Sequence, residues 1–434
     1  MAQTITSLGT LDSNPLDSRA VYPLAINASG QVVGYAYIGG SQHAFLYSGG
    51  VMTDVGTLPT GFSANATGIN ASGQVVGYAP LTSGDTHAFL YTGGSMTDLG
   101  TLGGHDSEAF GINDGGEVVG EAELFDNARN HAFLYSAGVM TDLGSLGGNP
   151  SYAVGINDIG QIAGWSWKSP YQPIACDVFL YWNGVMTDLG SFGNNESFAT
   201  GINASGQIVG WFFTAGPIGQ NYKHGFLYSN GRMTDLGTLG GLESYAYGIN
   251  DNGQVVGWSN TASGAQHAIL YSNGTMIDLN SLLPPDTNWV LRQANAINNF
   301  GQITGYGVIN LVSPGYVIAQ ENGFLLDTLA TITSMSPSSV AAGGAAFPLT
   351  VTGANFVPST TVMWNGAALA TTYVSATELT ASVPASLVAT PGTASVTVTT
   401  TEGTSAGATF TIHAPRGLPK EPERPRDTGQ REEQ

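Results

Sequence analysis

The chain has 434 residues, 42% of them hydrophobic, enough for two or three domains with real cores. Its formal charge is −20; before residue 414 there are six basic groups against 26 acidic ones, the remaining five Lys and Arg lying among five acids in the last 19 residues. That balance excludes nucleic acid as a partner, because affinity for phosphate backbones comes from Lys and Arg releasing counterions.

From the N-terminus, MAQTITSLGTL carries no basic segment followed by an apolar one, so no secretory signal is visible. The sequence leaves two possibilities, a cytoplasmic protein or one whose export signal lies outside it. No run of 18 apolar residues follows, and no membrane insertion is expected. Cys176 is the only cysteine, which excludes an intramolecular disulfide and a CxxC redox pair. No cofactor is expected.

An Ile-Asn pair recurs at Ile26, Ile69, Ile112, Ile156, Ile202, Ile249 and Ile297, at spacings of 43 to 48 residues. A period in the forties with several strands per unit indicates a β-propeller. Residues 64–102 give the unit: strand a (ATGIN), an Asn-Ala-Ser-Gly turn, strand b (QVVGYA), strand c (HAFLY), a Thr-Gly-Gly turn and strand d (MTDLGTL). Strand d has eight copies, the extra one being ITSLGTL, starting at Ile5, and the weakest FLLDTL at 324–329. Either can complete the seventh blade; the N-terminal copy would also join the chain ends and remove an exposed edge.

GINASGQVVGYA, HAFLY and MTDLGTLGG resemble the HAF family of extracellular bacterial repeats over about residues 4–329. His-Ala-Phe is intact at His43, His87 and His131, and altered at Asp177-Val-Phe, His224-Gly-Phe, His267-Ala-Ile and Gly315-Tyr-Val. The resemblance implies an extracellular or cell-surface protein and carries over no catalytic residue.

Beyond Leu329 the texture changes to Thr, Val, Ser and Ala. LTVTGANF at 349–356, VMWNG at 362–366, TELTASVP and GTASVTVTT at 392–400 resemble an IPT/TIG domain, an immunoglobulin-like sandwich. Such domains also occur in DNA-binding proteins, but residues 293–415 contain no Lys or Arg, which leaves a spacer or adhesion module. The expected architecture is all-β: a seven-bladed propeller (1–330), an immunoglobulin-like β-sandwich (331–413) and a disordered charged tail (414–434).

His and Asp recur together, as in His43 with Asp54 and His87 with Asp98. An active site needs one asymmetric constellation, so pairs repeated five times read as hairpin ties. Function is better sought where copies differ. Two long b-to-c loops, 166–176 and 212–223, bring Trp165, Trp167, Lys168, Tyr171, Trp211, Phe212, Phe213, Tyr222 and Lys223 onto adjacent blades, as a ligand face or as rim packing. In blade three Glu121 replaces the Tyr or Trp of the other copies, with Glu123, Asp126, His105, Asp106 and Glu108 nearby. Glu121, Glu123, Asp126 and Asp106 suggest a divalent-metal site, or a carboxylate pair for hydrolysis.

The expected function is a non-catalytic, monomeric surface protein, more a binder of glycan or protein than an enzyme. The alternatives are a propeller hydrolase or lyase using the acids of blade three, and a purely structural matrix protein. An asymmetric pocket joining Glu121 to His105 or Asp106 would favour the enzyme.

Overall fold

The computed structural model describes residues 4–414 except 12–19, 60, 126–128, 170–175, 193–195, 216–220, 285–286, 314–315, 329, 357, 376 and 401–403. Asp126, Tyr171 and the charged tail beyond residue 414 therefore lie outside the described residues. The chain divides into two compact units, Met1–Leu329 and Ala330–Gln434.

The first unit is seven four-stranded antiparallel sheets. Blade three is typical: strand a is Gly103–Ile112, b is Val118–Leu124, c is Asn130–Ser136 and d is Val139–Gly144, paired in that order. Each blade is apolar on both faces, and neighbouring blades bury those faces against each other. Val33 and Ala44 of blade one, for example, join Ala66, Val75, Ala79 and Phe89 of blade two in one cluster. The Phe of the His-Ala-Phe triplet is fully buried at Phe45, Phe89 and Phe133, so the repeated motif is core. The glycine of strand b faces a close crossing. A Cβ at Gly120 would overlap the Glu108 carbonyl of strand a.

The Asn of each Ile-Asn pair does more than turn the chain. Its side-chain Nδ2 donates to the main-chain oxygen of the same Asn in the next blade: Asn27 to Asn70 (3.0 Å), Asn70 to Asn113 (3.1 Å), Asn113 to Asn157 (3.3 Å) and Asn157 to Asn203 (3.1 Å). Asn203 to Asn250 (3.0 Å), Asn250 to Asn298 (3.1 Å) and Asn298 back to Asn27 (3.0 Å) close the circle. In blade one the Oδ1 accepts from Ser29 N and Gln31 N, fixing the a-to-b turn. The seven pairs line one cavity of about 230 Å³, which identifies strand a as the innermost strand.

Covalent ends meet in blade seven. Thr4–Ser7 pairs antiparallel with Tyr316–Asp327 in the register Thr4↔Asp327 to Ser7↔Phe324, so the N-terminal strand serves as strand d. The stretch 324–327 is strand c, not a weak strand d: Phe324 opposes Gly305 as Phe45 opposes Gly34. It follows that the seventh copy of the triplet is Asn322-Gly323-Phe324 and not Gly315-Tyr-Val. The shift arises because strands b and c of this blade, Gln302–Ser313 and Tyr316–Asp327, form a hairpin with 12-residue arms.

The second unit has two sheets. One orders Thr331–Ser336, Phe347–Ala354, Glu378–Val383 and Ala370–Ser375; the other orders Ser339–Ala341, Ala408–His413, Gly392–Thr399, Thr361–Trp364 and Ala367–Ala368. Alternate residues point inward, so Leu349, Val351, Trp364, Val396, Val398 and Phe410 form the core of an immunoglobulin-like sandwich.

Deleting residues 1–11 removes a whole strand and the buried Leu8, leaving an open edge on blade seven. The propeller transition in calorimetry is expected to fall by several degrees as one cooperative step; an unchanged transition would contradict closure by this strand.

Candidate functional site

Four residues before each Ile, about 13 Å up the innermost strand, one position of strand a opposes one of strand b in the same register in every blade. The pairs are Tyr22↔Tyr35, Asn65↔Tyr78, Glu108↔Glu121, Tyr152↔Trp165, Phe198↔Trp211, Tyr245↔Trp258 and Gln293↔Tyr306. In blades one, four, five and six both members are aromatic and stacked, with ring centroids 5.0, 4.1, 4.2 and 4.6 Å apart. Edge contacts carry the belt between blades, Trp165 against Phe198 at 5.1 Å and Tyr22 against Tyr306 at 5.3 Å. Blade three breaks it with two carboxyls.

Like charges directly opposite one another across antiparallel strands are destabilising. Here Glu121 is 9% exposed, and burial pushes its carboxyl up to about 7. A hydrogen bond from Asn130 Nδ2 to its Oε2 (2.9 Å) opposes the shift, Glu108 adds to it, and a bond with Tyr152 of the next blade opposes it. Burial and then Asp106 also raise Glu108. Thr86, Asp106, Ser107, Glu108, Glu121 and Asn130 line a cleft of about 120 Å³. The frame is firm: buried Ser107 accepts from Ala88 N (2.9 Å) and donates to Gly100 O (2.6 Å), and Thr86 N donates to Asp106 Oδ1 (2.7 Å). A carboxyl titrating near neutrality beside a second carboxyl can give a proton and take it back.

Blade six shows what this frame is without carboxyls. Its strand a, Gly240–Ile249, has the same length and the same Ser hydrogen bonds, through Ser244 to Gly225 N and Gly237 O. It carries the stacked Tyr245 and Trp258 where blade three has Glu108 and Glu121.

The other expected site residues are placed as follows. Glu123 accepts from His105 N (2.8 Å), and the exposed His105 lies 3.3 Å from Asp85 of blade two. Among the described residues no three His, Cys, Asp or Glu side chains gather as metal ligands, so the metal reading of Glu121, Glu123 and Asp106 has no geometric support. Phe212 is 2% exposed and stacked on Phe192 at 4.0 Å, which removes it from any ligand face. Lys168 is also corrected: its Nζ bridges Asp177 (2.7 Å) and Asp188 (2.8 Å), which raises the ammonium. Where Asp177 replaces the usual His, two carboxylates face each other, and Lys168 supplies the missing cation.

The His-Asp pairs themselves are ties. His43 meets Asp54 at 2.8 Å, His87 meets Asp98 at 2.8 Å and His267 meets Asp278 at 2.7 Å. In the first two, the Asp also caps a glycine N–H two residues on. Trp165 and Trp211 are half-buried members of the belt, and Trp167 is half-buried beside them in sequence. Lys223 sits over Trp211, Phe213 and Tyr245 at 5.0 to 5.7 Å, a cation held by three rings. Tyr222, next to it, is half-buried. Among the described residues of these two stretches, Phe212, Phe213 and Lys223 are fastened to neighbouring rings. Sequence reasoning missed the Glu108↔Glu121 opposition, although the register was implicit in the repeat.

The IPT/TIG domain family matches residues 330–412, so the chain is an all-β propeller-like domain followed by an IPT/TIG domain. No curated protein sequence matches it. Solved structures that resemble the propeller include the β-propeller domain of the Trilobed protease from Pyrococcus furiosus, at 9% identity and TM-score 0.47, covering 72% of this chain and 95% of that one. A puromycin-hydrolyzing peptidase from Mycobacterium tuberculosis gives 13% identity and TM-score 0.43, covering 74% of this chain and 56% of that one, so this chain spans about half its length. A gluconolactonase from Xanthomonas campestris gives 11% identity and TM-score 0.34, covering 75% and 98%. At such identities the likeness concerns the fold alone. It corrects one expectation, that the array marks a non-catalytic scaffold and that the protein is more a binder than an enzyme. The matched structures are for the most part peptidases and other hydrolases, so the fold is no sign of an inert scaffold and the chemistry of the site must decide.

Because the folded-state value of Glu121 lies above its ordinary 4.5, its contribution to stability is full below about pH 4.5 and is lost as pH rises through about 7. Relative to Glu121→Gln, the wild type should lose on the order of 3 kcal/mol between pH 4.5 and 8. Parallel denaturant titrations check this; a difference that stays constant with pH would contradict the raised carboxyl.

Proposed function

We propose that the protein is an acid–base hydrolase or lyase whose proton-transferring group is Glu121, with Glu108 as the second carboxyl and Asp106 at the mouth of the cleft. The observation that carries this reading is the opposed Glu108↔Glu121 pair, half-buried Glu108 against buried Glu121, in the one blade whose belt position holds two carboxyls. A protein gains no stability by setting two acidic groups against each other, one of them buried, in a frame that in four other blades accepts a stacked aromatic pair. Such a cost is retained where it sets a pKa near the working pH, which is what a general acid or base needs.

Glu121 is suited to donate a proton to a leaving oxygen or to remove one from an acidic carbon, and Asn130 and Tyr152 hold its carboxyl in place. The repeat also resembles the HAF type, and on that resemblance we place the protein at the cell surface or outside the cell. No helix of the described residues is long and apolar enough to cross a membrane.

The test is a screen of the full chain on chromogenic glycosides, esters and a polyuronide from pH 5 to pH 9. The expected result is an activity that Glu121→Gln lowers by about a hundredfold or more with the melting transition retained, and that in the wild type bends near pH 7. An activity indifferent to Glu121→Gln would contradict the assignment.

A further inference from the structure

The belt that blade three interrupts has two unlike halves. Blades four to six present the stacked rings of Tyr152, Trp165, Phe198, Trp211, Tyr245 and Trp258. Blades seven, one, two and three present hydroxyls, amides and carboxyls, in blade one on a stacked tyrosine pair. Tyr306 donates to Gln293 (3.3 Å), Tyr22 donates to Glu321 (3.0 Å) and stacks on Tyr35 at 5.0 Å, and Tyr78 lies in the field of Glu108. Burial raises all four of these phenols, so they are neutral hydroxyls at any physiological pH. Among them Asn65, at the belt position of blade two, is 7% exposed and its Oδ1 has no hydrogen-bond donor. An unsatisfied buried acceptor costs about 1–3 kcal/mol and fits a site completed by a donor from outside the chain.

We propose that this belt is the substrate platform of the Glu121 site and that the substrate is a neutral carbohydrate chain; the proposal rests on the acid–base reading of Glu121. A sugar offers C–H faces to an apolar arc and many O–H donors and acceptors to a hydroxyl arc, and these are the two sectors of the belt. An anionic polymer is disfavoured, because the polar sector carries Glu108, Glu121 and Glu321 and the body has six basic groups against 26 acidic. The matching reaction is hydrolysis of a glycosidic bond. Glu121 gives its proton to the bridging oxygen as the C1–O bond breaks. Water adds to C1 and loses its proton to the carboxylate that Glu121 has become, so one water is consumed and Glu121 returns to its protonated state.

The experiment uses the full chain carrying Glu121→Gln, to bind without turnover, and calorimetric titration with three neutral hexasaccharides (β-1,4-glucan, α-1,4-glucan and β-1,4-xylan), a polygalacturonate and a casein peptide digest. The expected result is binding of at least one neutral hexasaccharide with Kd below about 1 mM, weakened about tenfold or more by adding Asn65→Ala or Tyr78→Phe. Trp182→Ala, far out on a c-to-d turn of blade four, controls for non-specific loss and should leave binding unchanged. No binding of any neutral hexasaccharide, or binding only of the polygalacturonate or of peptides, overturns the platform. The two claims fail separately. Neutral-sugar binding without cleavage by the wild type supports the platform and removes the acid–base role of Glu121, whereas Glu121-dependent cleavage of another substrate class without sugar binding removes the platform alone.

Discussion

Everything in the propeller depends on seven asparagines. A blade alone cannot bury both apolar faces, so seven sheets are stable only as a closed circle. The circle is held at its centre by amide donors that each reach the main chain of the next blade, from Asn27 round to Asn298 and back. One residue type does this because Asn presents donor and acceptor on a short stem. The Nδ2 leaves the blade while the Oδ1 stays to fix its own turn. At the rim the closure is of another kind, four residue pairs between Thr4–Ser7 and the last long strand. The two closures lie at the innermost and outermost strands of blade seven.

A ring so regular makes departures conspicuous. Blades three and six share the lengths of strands a, b and c and the serine cross-links, yet blade six spends the belt position on a stacked Tyr and Trp and blade three on two glutamates. Lys168 is the opposite case: there a substitution creates a clash of carboxylates and a lysine from the neighbouring loop resolves it. At Glu108 and Glu121 burial and the neighbouring acids raise both carboxyls. Their opposition is instead accommodated by protonation, which keeps a carboxyl poised near neutrality in a cleft.

Much of this was legible in the residues. The Ile-Asn period fixed the blade number, and the GQVVGY and HAFLY strings fixed strands b and c, because turn chemistry and alternation are local. Glu121 stood out as the odd member of its column. What was hidden depended on partners distant in sequence. The asparagine ring joins residues one repeat apart, and nothing in Ile-Asn itself distinguishes a turn former from an inter-blade donor. The seventh triplet was misaligned because its hairpin is longer than in other blades, which displaced Asn322-Gly323-Phe324 along the chain. Phe212 was read as exposed because loop position was taken for accessibility, and Lys168, which is exposed, was read as available; stacking on Phe192 and the two aspartates that hold Lys168 appear only in three dimensions. The opposition of Glu108 to Glu121 needed register, which a single repeat supplies only once its a-to-b turn is known.

The central claim is that blade three gives up packing for chemistry in a frame built for an aromatic pair. Restoring the pair of blade six by Glu108→Tyr with Glu121→Trp tests it directly, with the melting transition of the propeller at pH 8 as the readout. The account predicts a transition several degrees above wild type, from about 1–3 kcal/mol of regained stacking and relieved burial. A transition at or below that of wild type would mean that the glutamates belong to the frame and would contradict the account.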